Sequence, residues 1–505
     1  MLARAGVRLV AVLVFLTGAR AKAAAPTDHP ADAADAAQAA GDADADDDAA
    51  FPDPRFGPRY VIEEVRVTGN RKTERSLIVG ELAVLGLTPG SSVDASDPRV
   101  DTARYRLLSL GYFFDVRLSV ARGSKRGGAV LVVNVEERGT LVINELFPAT
   151  SQATLFWGGA DVSETNFLGR GINLGAGFVL STKPLVPDAH AGLGLRLHVG
   201  APPLGGPNGL ALSVTGLYND GSEFYRTSGS DDDADPGRFV ANRVRRAGGV
   251  LTAGKMLPAN LHASLSFREE ELSTVLPPTA VQNLPDGQTV PINFMVAKGI
   301  SRVGTVAAAL DYDSRSDPIL PRSGMRLSLS VEGGTSVLGS SYDFVKTVLD
   351  SSFYWKMPHG HALGLHVFAG AIAGNAAYFD RFFIGDLDLL LPRRALGINF
   401  STQPAPGLLG TSIARQRYDN YAGRVLLEYA IPVWRHHGLV YGGDAFLAAG
   451  LLGMASNGDF TPPGPVGWSS LPIALTGDVG LRLDTYVGVF TISIANILSR
   501  SSSSF

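Results

Sequence analysis

Ala191-Gly192-Leu193-Gly194-Leu195-Arg196-Leu197-His198-Val199-Gly200 is the stretch that decides the fold. Read with period two, Ala191, Leu193, Leu195, Leu197 and Val199 share one face, while Gly192, Gly194, Arg196, His198 and Gly200 share the other. Successive side chains on a strand point to opposite faces, so this segment is a strand with one apolar and one wet side. The pattern recurs in Leu261, Ala263, Leu265 and Phe267 against His262, Ser264, Ser266 and Arg268. It recurs again in Met325, Leu327, Leu329 and Val331 against Arg326, Ser328, Ser330 and Glu332. A soluble sandwich would alternate too, so the connections decide. Short ones at 166–171, 257–260, 358–361 and 435–438 alternate in phase with long ones at 219–238, 273–299, 372–420 and 454–470. That is the layout of a membrane barrel with short turns on one side and long outer loops on the other. Trp355 and Trp434 stand at strand ends beside short turns, where an interfacial girdle belongs. The segments after Gly139 therefore predict an all-β transmembrane barrel of about 16 antiparallel strands over 139–505, fifteen of them clear.

Composition agrees. The chain of 505 residues is 45% apolar and 18% charged with net charge −4, which argues against a disordered chain and against electrostatic binding of nucleic acid. Beyond the first twenty-five residues no apolar run approaches the length of a membrane-crossing helix. At the N-terminus, Arg4 and Arg8 precede the apolar stretch Leu9–Leu16 and small residues follow through Ala23, so 1–23 reads as a secretory signal. Residues 24–58, rich in Ala, Asp and Pro and carrying Asp46-Asp47-Asp48, read as a disordered acidic linker. The chain has no cysteine, so no disulfide, thiolate metal site or cysteine nucleophile can be proposed.

Between linker and barrel, 59–138 reads as a small α+β domain of order β-α-α-β-β. Val61, Ile62, Val65 and Val67 form a strand ended by Gly69-Asn70, and Leu77, Ile78, Leu82 and Leu85 have helical spacing before Gly86. Asp97-Pro98 starts a second helix, an N-cap with proline in the first turn, and Val100, Ala103, Leu107 and Leu110 lie on one face of it before Gly111. Two alternating strands follow, around Val116–Val120 and Val130–Val135. With Gly69, and with Gly111-Tyr112-Phe113 just after the second helix, this domain resembles a polypeptide-transport-associated (POTRA) domain.

The barrel carries further likenesses. Ser163–Gly171, the run Asp311-Tyr312-Asp313-Ser314-Arg315-Ser316-Asp317-Pro318 with Pro321-Arg322-Ser323-Gly324, and Gly480–Thr485 together resemble the BamA/TamA-like outer-membrane assembly family, also called the bacterial surface antigen family. In that resemblance Asp313, Arg315, Asp317 and Gly324 belong to a mid-barrel periplasmic turn, and Phe505 to a C-terminal targeting signal. It implies an outer-membrane location with the POTRA domain in the periplasm. It also implies that the longest loop folds into the lumen, where an arginine meets acidic residues of the next two strands. Arg381–Gly385 fits the start of that loop and Arg394 the arginine, with Ala395 and Leu396 in place of the glycine and aromatic residue that follow it in the family.

Periodicity supplies the candidate partners. Along 421–431 the apolar face leaves Arg424 and Glu428 toward the lumen, and along 439–451 it leaves Asp444 inward. Glu428 matches the family's strand-twelve glutamate, whereas the strand-thirteen aspartate aligns with Ala448. The expectation is a cluster of Arg394 with Glu428 and Asp444 that pins the loop, since desolvated charges are retained when paired. The alternative is separate, solvated lumen charges. Gly249-x4-Gly254-Lys255 lacks the Ser/Thr and the helix of a phosphate loop, and His359, His361 and His366 lack acidic partners for a metal. No catalytic constellation, cofactor or metal is expected. The partners expected are the outer-membrane bilayer, unfolded outer-membrane or secreted clients and periplasmic assembly subunits, with no nucleic acid. Insertion or translocation of polypeptides leads, a passive channel is the alternative, and a partner-specific secretion transporter is third.

Overall fold

A computed structural model describes residues 60–500 apart from 95, 147–148, 230–234, 259, 278–279, 285–286, 388–393, 403–417, 436–437 and 458–472. The expected secretory signal, the acidic linker and Phe505 lie outside the described residues.

The N-terminal domain runs β1 (Tyr60–Thr68), α1 (Arg75–Val84), β2 (Ser92–Val93), α2 (Pro98–Ser109), β3 (Phe113–Arg122) and β4 (Gly128–Glu137). Its sheet has the order β2-β1-β4-β3, with β1 parallel to β4. The two-residue β2 is an addition to the expected order, and a strand that short leaves no periodic signal. At the start of α2, the Asp97 carboxylate accepts from the Arg99 N–H at 2.9 Å and Pro98 occupies the first turn, the cap read from the sequence. Ile78 and Leu82 of α1 and Ala103 and Leu107 of α2 are buried against Ile62, Val65, Val116, Leu131 and Val133 of the sheet. Gly69 has φ +88°, and a Cβ there would lie 1.9 Å from the Val135 carbonyl oxygen, so only glycine ends β1 in this way.

The remaining strands, in chain order, are β5 (Leu141–Leu146), β6 (Trp157–Phe167), β7 (Ile172–Ser181), β8 (Leu193–Gly200), β9 (Leu210–Arg226), β10 (Phe239–Leu257), β11 (Leu261–Val275), β12 (Val281–Asn283), β13 (Thr289–Pro291), β14 (Gly299–Asp313), β15 (Gly324–Gly334), β16 (Phe344–Lys356), β17 (Ala362–Gly374), β18 (Phe382–Phe383), β19 (Tyr418–Asp419), β20 (Tyr421–Arg435), β21 (Val440–Ala455), β22 (Ile473–Thr485) and β23 (Gly488–Arg500). β12 pairs with β13, and β18 with β19, in two small ribbons within loops. The other fifteen form one nearly closed antiparallel barrel from β5 to β23. Leu195, Leu251, Leu265, Val306, Leu329, Leu427, Leu447 and Ile492 are exposed on its outer face, a band that only lipid would bury.

β9 continues through Arg226, where the sequence reading begins the loop at 219. Beyond the apolar band the outward positions become Asp220, Arg245, Glu271 and Arg302, with Arg245 bound to Asp220 at 3.1 Å. Further along β9 both faces are covered, with Asn219 and Glu223 buried on one side and Ser222 and Phe224 on the other, Phe224 packing with Ala153, Val186, Ala189, Phe239 and Ala241, so the strand loses its alternating signature although its ladder continues from Val214↔Leu251 to Arg226↔Phe239.

The ends of the barrel have two distinctive features. First, every neighbour is antiparallel and the count is odd, so β5 and β23 run in the same direction. They share no ladder among the described residues, and one backbone bond, from the Ile143 N–H to the Val487 carbonyl at 2.7 Å, joins them at the corner beside the N-terminal domain. One further strand between them would run antiparallel to both. Second, the N-terminal domain touches the turns at that end of the barrel. The Tyr105 hydroxyl donates to the Asp313 carbonyl at 3.1 Å, Asn166 donates to Thr73 at 3.0 Å, Phe114 stacks on Tyr441 at 4.8 Å, and Arg138 pairs with Asp484 at 2.6 Å.

Leu107 is fully buried, so Leu107→Ala is expected to destabilise the N-terminal domain by about 2–5 kcal/mol. Proteolysis of 60–138 across a urea series should then begin at lower urea, while heat-resistant gel migration shows the barrel unchanged.

Candidate functional site

The lumen is where chemistry concentrates. Two parts of the loop between β17 and β20, residues 376–387 and 394–402, fold inward and pack against the wall. Ala376, Ala377, Tyr378, Phe379, Phe382, Phe383, Ile384 and Leu387 join one buried apolar cluster with Val244 of β10, Leu272 of β11, Val303 of β14, Ile372 of β17, Leu452 of β21 and Ile497 of β23. Ala395, Leu396, Ile398 and Phe400 pack with Val179 of β7 and Trp157 of β6, whose ring stacks on Phe400 at 5.0 Å.

A charge network lies under the first part. Arg268 of β11 meets three carboxylates: Glu270 at 2.7 Å, Asp380 of the loop at 2.7 Å and Glu332 of β15 at 3.3 Å. Arg246 of β10 binds Glu270 at 2.8 Å, and its guanidinium lies 3.9 Å from the centre of the Phe379 ring. Lys346 donates to the Asp380 carbonyl at 2.8 Å and stands 5.0 Å from the Phe382 ring. The loop thus supplies an acid and aromatic faces, and the wall supplies the cations, the reverse of the polarity that the family resemblance implies. Inward placement of Arg268 and Glu332 was readable from their strands. Asp380 as their partner was not, because it lies 112 residues after Arg268 in a segment without period.

The structure does not bring Arg394 to Glu428 or Asp444. Arg394 instead bonds Asp386 of its own loop and the Phe379 carbonyl, and it packs against the Phe383 ring at 5.3 Å. Glu428 takes a two-pronged bond from Arg482 of β22, at 2.9 and 2.7 Å. Asp444 is bound by Arg322, which reaches into the lumen from the turn between β14 and β15. The reason is geometric: Arg482 and Arg322 reach these carboxylates from neighbouring parts of the wall and satisfy them at the domain-side end. Arg424 does reach the loop, donating to the Leu387 carbonyl at 2.7 Å. Ala448 sits directly opposite Glu428 in the ladder of β20 with β21.

The turn residues read from the sequence build one compact brace. Arg315 binds Asp313 at 2.7 Å and the Pro318 carbonyl at 3.0 Å, and Asp317 accepts from the N–H groups of Ile319 and Leu320. Gly324 has φ +95°, with the Ser314 carbonyl 2.2 Å from where a Cβ would stand. In the N-terminal domain, Phe113 is buried in the core, Gly111 has φ +76°, and the Tyr112 hydroxyl faces the turn at Gly171. Among the described residues no group of three or more His, Asp or Glu side chains is placed to hold a metal.

Comparison with known proteins agrees with this architecture. Residues 60–138 match the POTRA family model, described as surface antigen variable number repeat. None of the curated proteins matches the sequence. CdiB from Escherichia coli is a structural neighbour at 12% identity and TM-score 0.54, covering 87% of this chain and 73% of that one. A BamA from Haemophilus ducreyi lacking POTRA domains 1–3 aligns at 15% identity and TM-score 0.46 over 87% of this chain and 81% of that one. CdiB from Acinetobacter baumannii aligns at 12% identity and TM-score 0.49 over 84% and 68%. The chain thus carries one POTRA domain, and its barrel has the fold of the Escherichia coli neighbour.

Breaking a buried pair by removing one partner typically costs about 3–5 kcal/mol. Glu428→Arg or Arg482→Glu alone should therefore lower the temperature at which the barrel loses its folded gel migration. The two together should recover most of the loss, and Glu428→Arg with Arg394→Glu should recover none.

Proposed function

We propose that this protein is an outer-membrane factor that inserts or translocates polypeptides, with the POTRA domain on the periplasmic side receiving unfolded clients. The observation that carries this reading is the seam: two strand edges that share no ladder among the described residues, with a backbone bond from Ile143 of β5 to Val487 just before β23, beside a docked POTRA domain. In the hydrocarbon of a bilayer an unpaired N–H or C=O costs several kcal/mol, so a client strand cannot enter alone. An edge already present in the membrane supplies the missing partners, as edges do whenever they are left uncovered. Thr491, Ile492, Ser493 and Ile494 of β23 are exposed on both faces, so that edge is accessible. Strand pairing and burial of apolar side chains in lipid supply the free energy, and no nucleotide is required. The POTRA sheet also presents β3 at its edge, where an extended client segment can add by main-chain pairing. Contact of this domain with the short-turn end of the barrel supports its periplasmic placement.

In proteoliposomes, the protein should speed insertion of an unfolded barrel client severalfold over empty liposomes, read as protease-protected, heat-resistant product. Deleting 60–138 should remove the gain. Liposomes that merely become ion-permeable, with no effect on the client, would instead identify a passive channel.

A further inference from the structure

The outer face of the barrel carries a group of arginines just above its apolar band. Leu251 of β10, Phe267 of β11 and Val306 of β14 stand side by side in the ladder and are exposed where lipid would cover them. Arg302 lies further up β14 on that same face, and Arg245 and then Arg243 lie further up β10, since side chains of a strand return to one face every second residue. At about 3.3 Å per residue and a strand tilt near 40°, these positions stand about 10–20 Å above the apolar row along the membrane normal, the level of lipid headgroups. The Arg245 and Arg302 side chains are 49% and 61% exposed. Asp220 of β9 is shared by two of the arginines: it takes bonds from Arg243 at 2.9 and 2.8 Å and from Arg245 at 3.2 and 3.1 Å. One carboxylate thus fixes two guanidinium groups and offsets the charge of one. Arg302 lies 3.8 Å from Glu271, too far for a hydrogen bond. With exposed Lys298 just before β14 and with Glu269 lower on β11, four cations face three carboxylates. At the corresponding level elsewhere, the exposed wall positions Leu180 of β7 and Ala371 and Ala373 of β17 carry no charge.

We infer that Arg243, Arg245 and Arg302 form a binding site for a phosphorylated glycolipid of the outer leaflet, with its phosphates on the arginines and its acyl chains on the apolar band beneath. The inference goes beyond polypeptide insertion and rests only on the outer-membrane location. Three observations favour this occupant. The planar fork of a guanidinium matches phosphate oxygens, and such a charge-assisted bond strengthens at the edge of a layer of low dielectric. The arginines continue directly from the lipid-facing band, so an amphiphile meets both surfaces at once, whereas a soluble anion meets the arginines alone. The Arg243–Arg245 pair and Arg302 stand two strands apart, which is about 10 Å. A disaccharide with a phosphate at each end bridges such a gap, and a phospholipid with one phosphate reaches one side of it. Because Asp220 already holds Arg243 and Arg245 in place, little side-chain ordering opposes binding.

The test titrates the full chain, purified in a neutral detergent, with lipid A carrying two phosphates, with the same lipid after enzymatic removal of both, with phosphatidylglycerol and with inorganic phosphate, and counts bound lipid by native mass spectrometry. The wild type should bind the doubly phosphorylated lipid about tenfold or more tighter than the other lipids. Arg243→Gln, Arg245→Gln and Arg302→Gln together should remove that preference. Exposed Arg302 makes no close bond, so Arg302→Gln alone leaves a folded barrel for the measurement and should weaken binding severalfold. Lys255→Gln, an exposed cation at the other end of β10, should bind within about twofold of the wild type. Equal binding of the phosphorylated and dephosphorylated lipids would overturn the site, as would a triple variant and Arg302→Gln that both bind like the wild type, or a Lys255→Gln variant that loses as much as Arg302→Gln. Phosphatidylglycerol bound as tightly as lipid A would overturn the two-phosphate occupant, and displacement of lipid A by millimolar inorganic phosphate would show a site for the free anion instead.

Discussion

The whole structure depends on backbone pairing in a solvent that offers none. Within hydrocarbon each strand must give its N–H and C=O groups to a neighbour, and a barrel meets that demand by closing on itself. Here the fifteen antiparallel strands leave the first and the last running the same way, joined at one corner. Among the described residues the unmet demand therefore lies at one seam, beside the POTRA domain through the contacts of Arg138, Gly139 and Tyr441. In the proposed function, this seam is the feature that receives the client.

The second organising constraint is the lumen. A polar interior cannot hold apolar side chains unless they are covered, so the inner loop buries its aromatic residues against glycine and apolar patches of the wall and ties its acid to wall cations. The many glycines acquire a reason at those seats, since Gly192, Gly221 and Gly370 stand where any larger residue would displace a ring or a branched side chain. Carboxylates and arginines at the domain-side end, Glu428 with Arg482 and Asp444 with Arg322, brace the wall and the mid-barrel turn instead of holding the loop.

Much of the fold is legible in the sequence because strands that separate water from lipid must alternate. The phase of short and long connections, the Asp97-Pro98 cap and the turn around Asp313–Gly324 are equally local signals. Asn219–Arg226 escapes that reading because both of its faces are covered, so that polar and apolar residues no longer alternate, and the two-residue Ser92–Val93 because it is too short. Inward direction is likewise local, which is why Glu428, Asp444 and Arg424 are placed in the lumen by period alone. Pairing across the lumen is not local. Which cation meets Glu428 depends on how β20, β21 and β22 are staggered, and Arg394 finds Asp386 eight residues away before it can reach the wall.

The central claim, that the seam receives the client, is open to a direct measurement. A photo-reactive amino acid placed at Ile143 on the β5 edge, at Ile494 on the β23 edge and at Leu265 in the middle of the lipid face would report contact during insertion of an unfolded barrel client. Strong cross-links from both edge positions and background from Leu265 are expected. Equal labelling at all three positions, or labelling at Leu265 alone, would contradict an edge-directed mechanism.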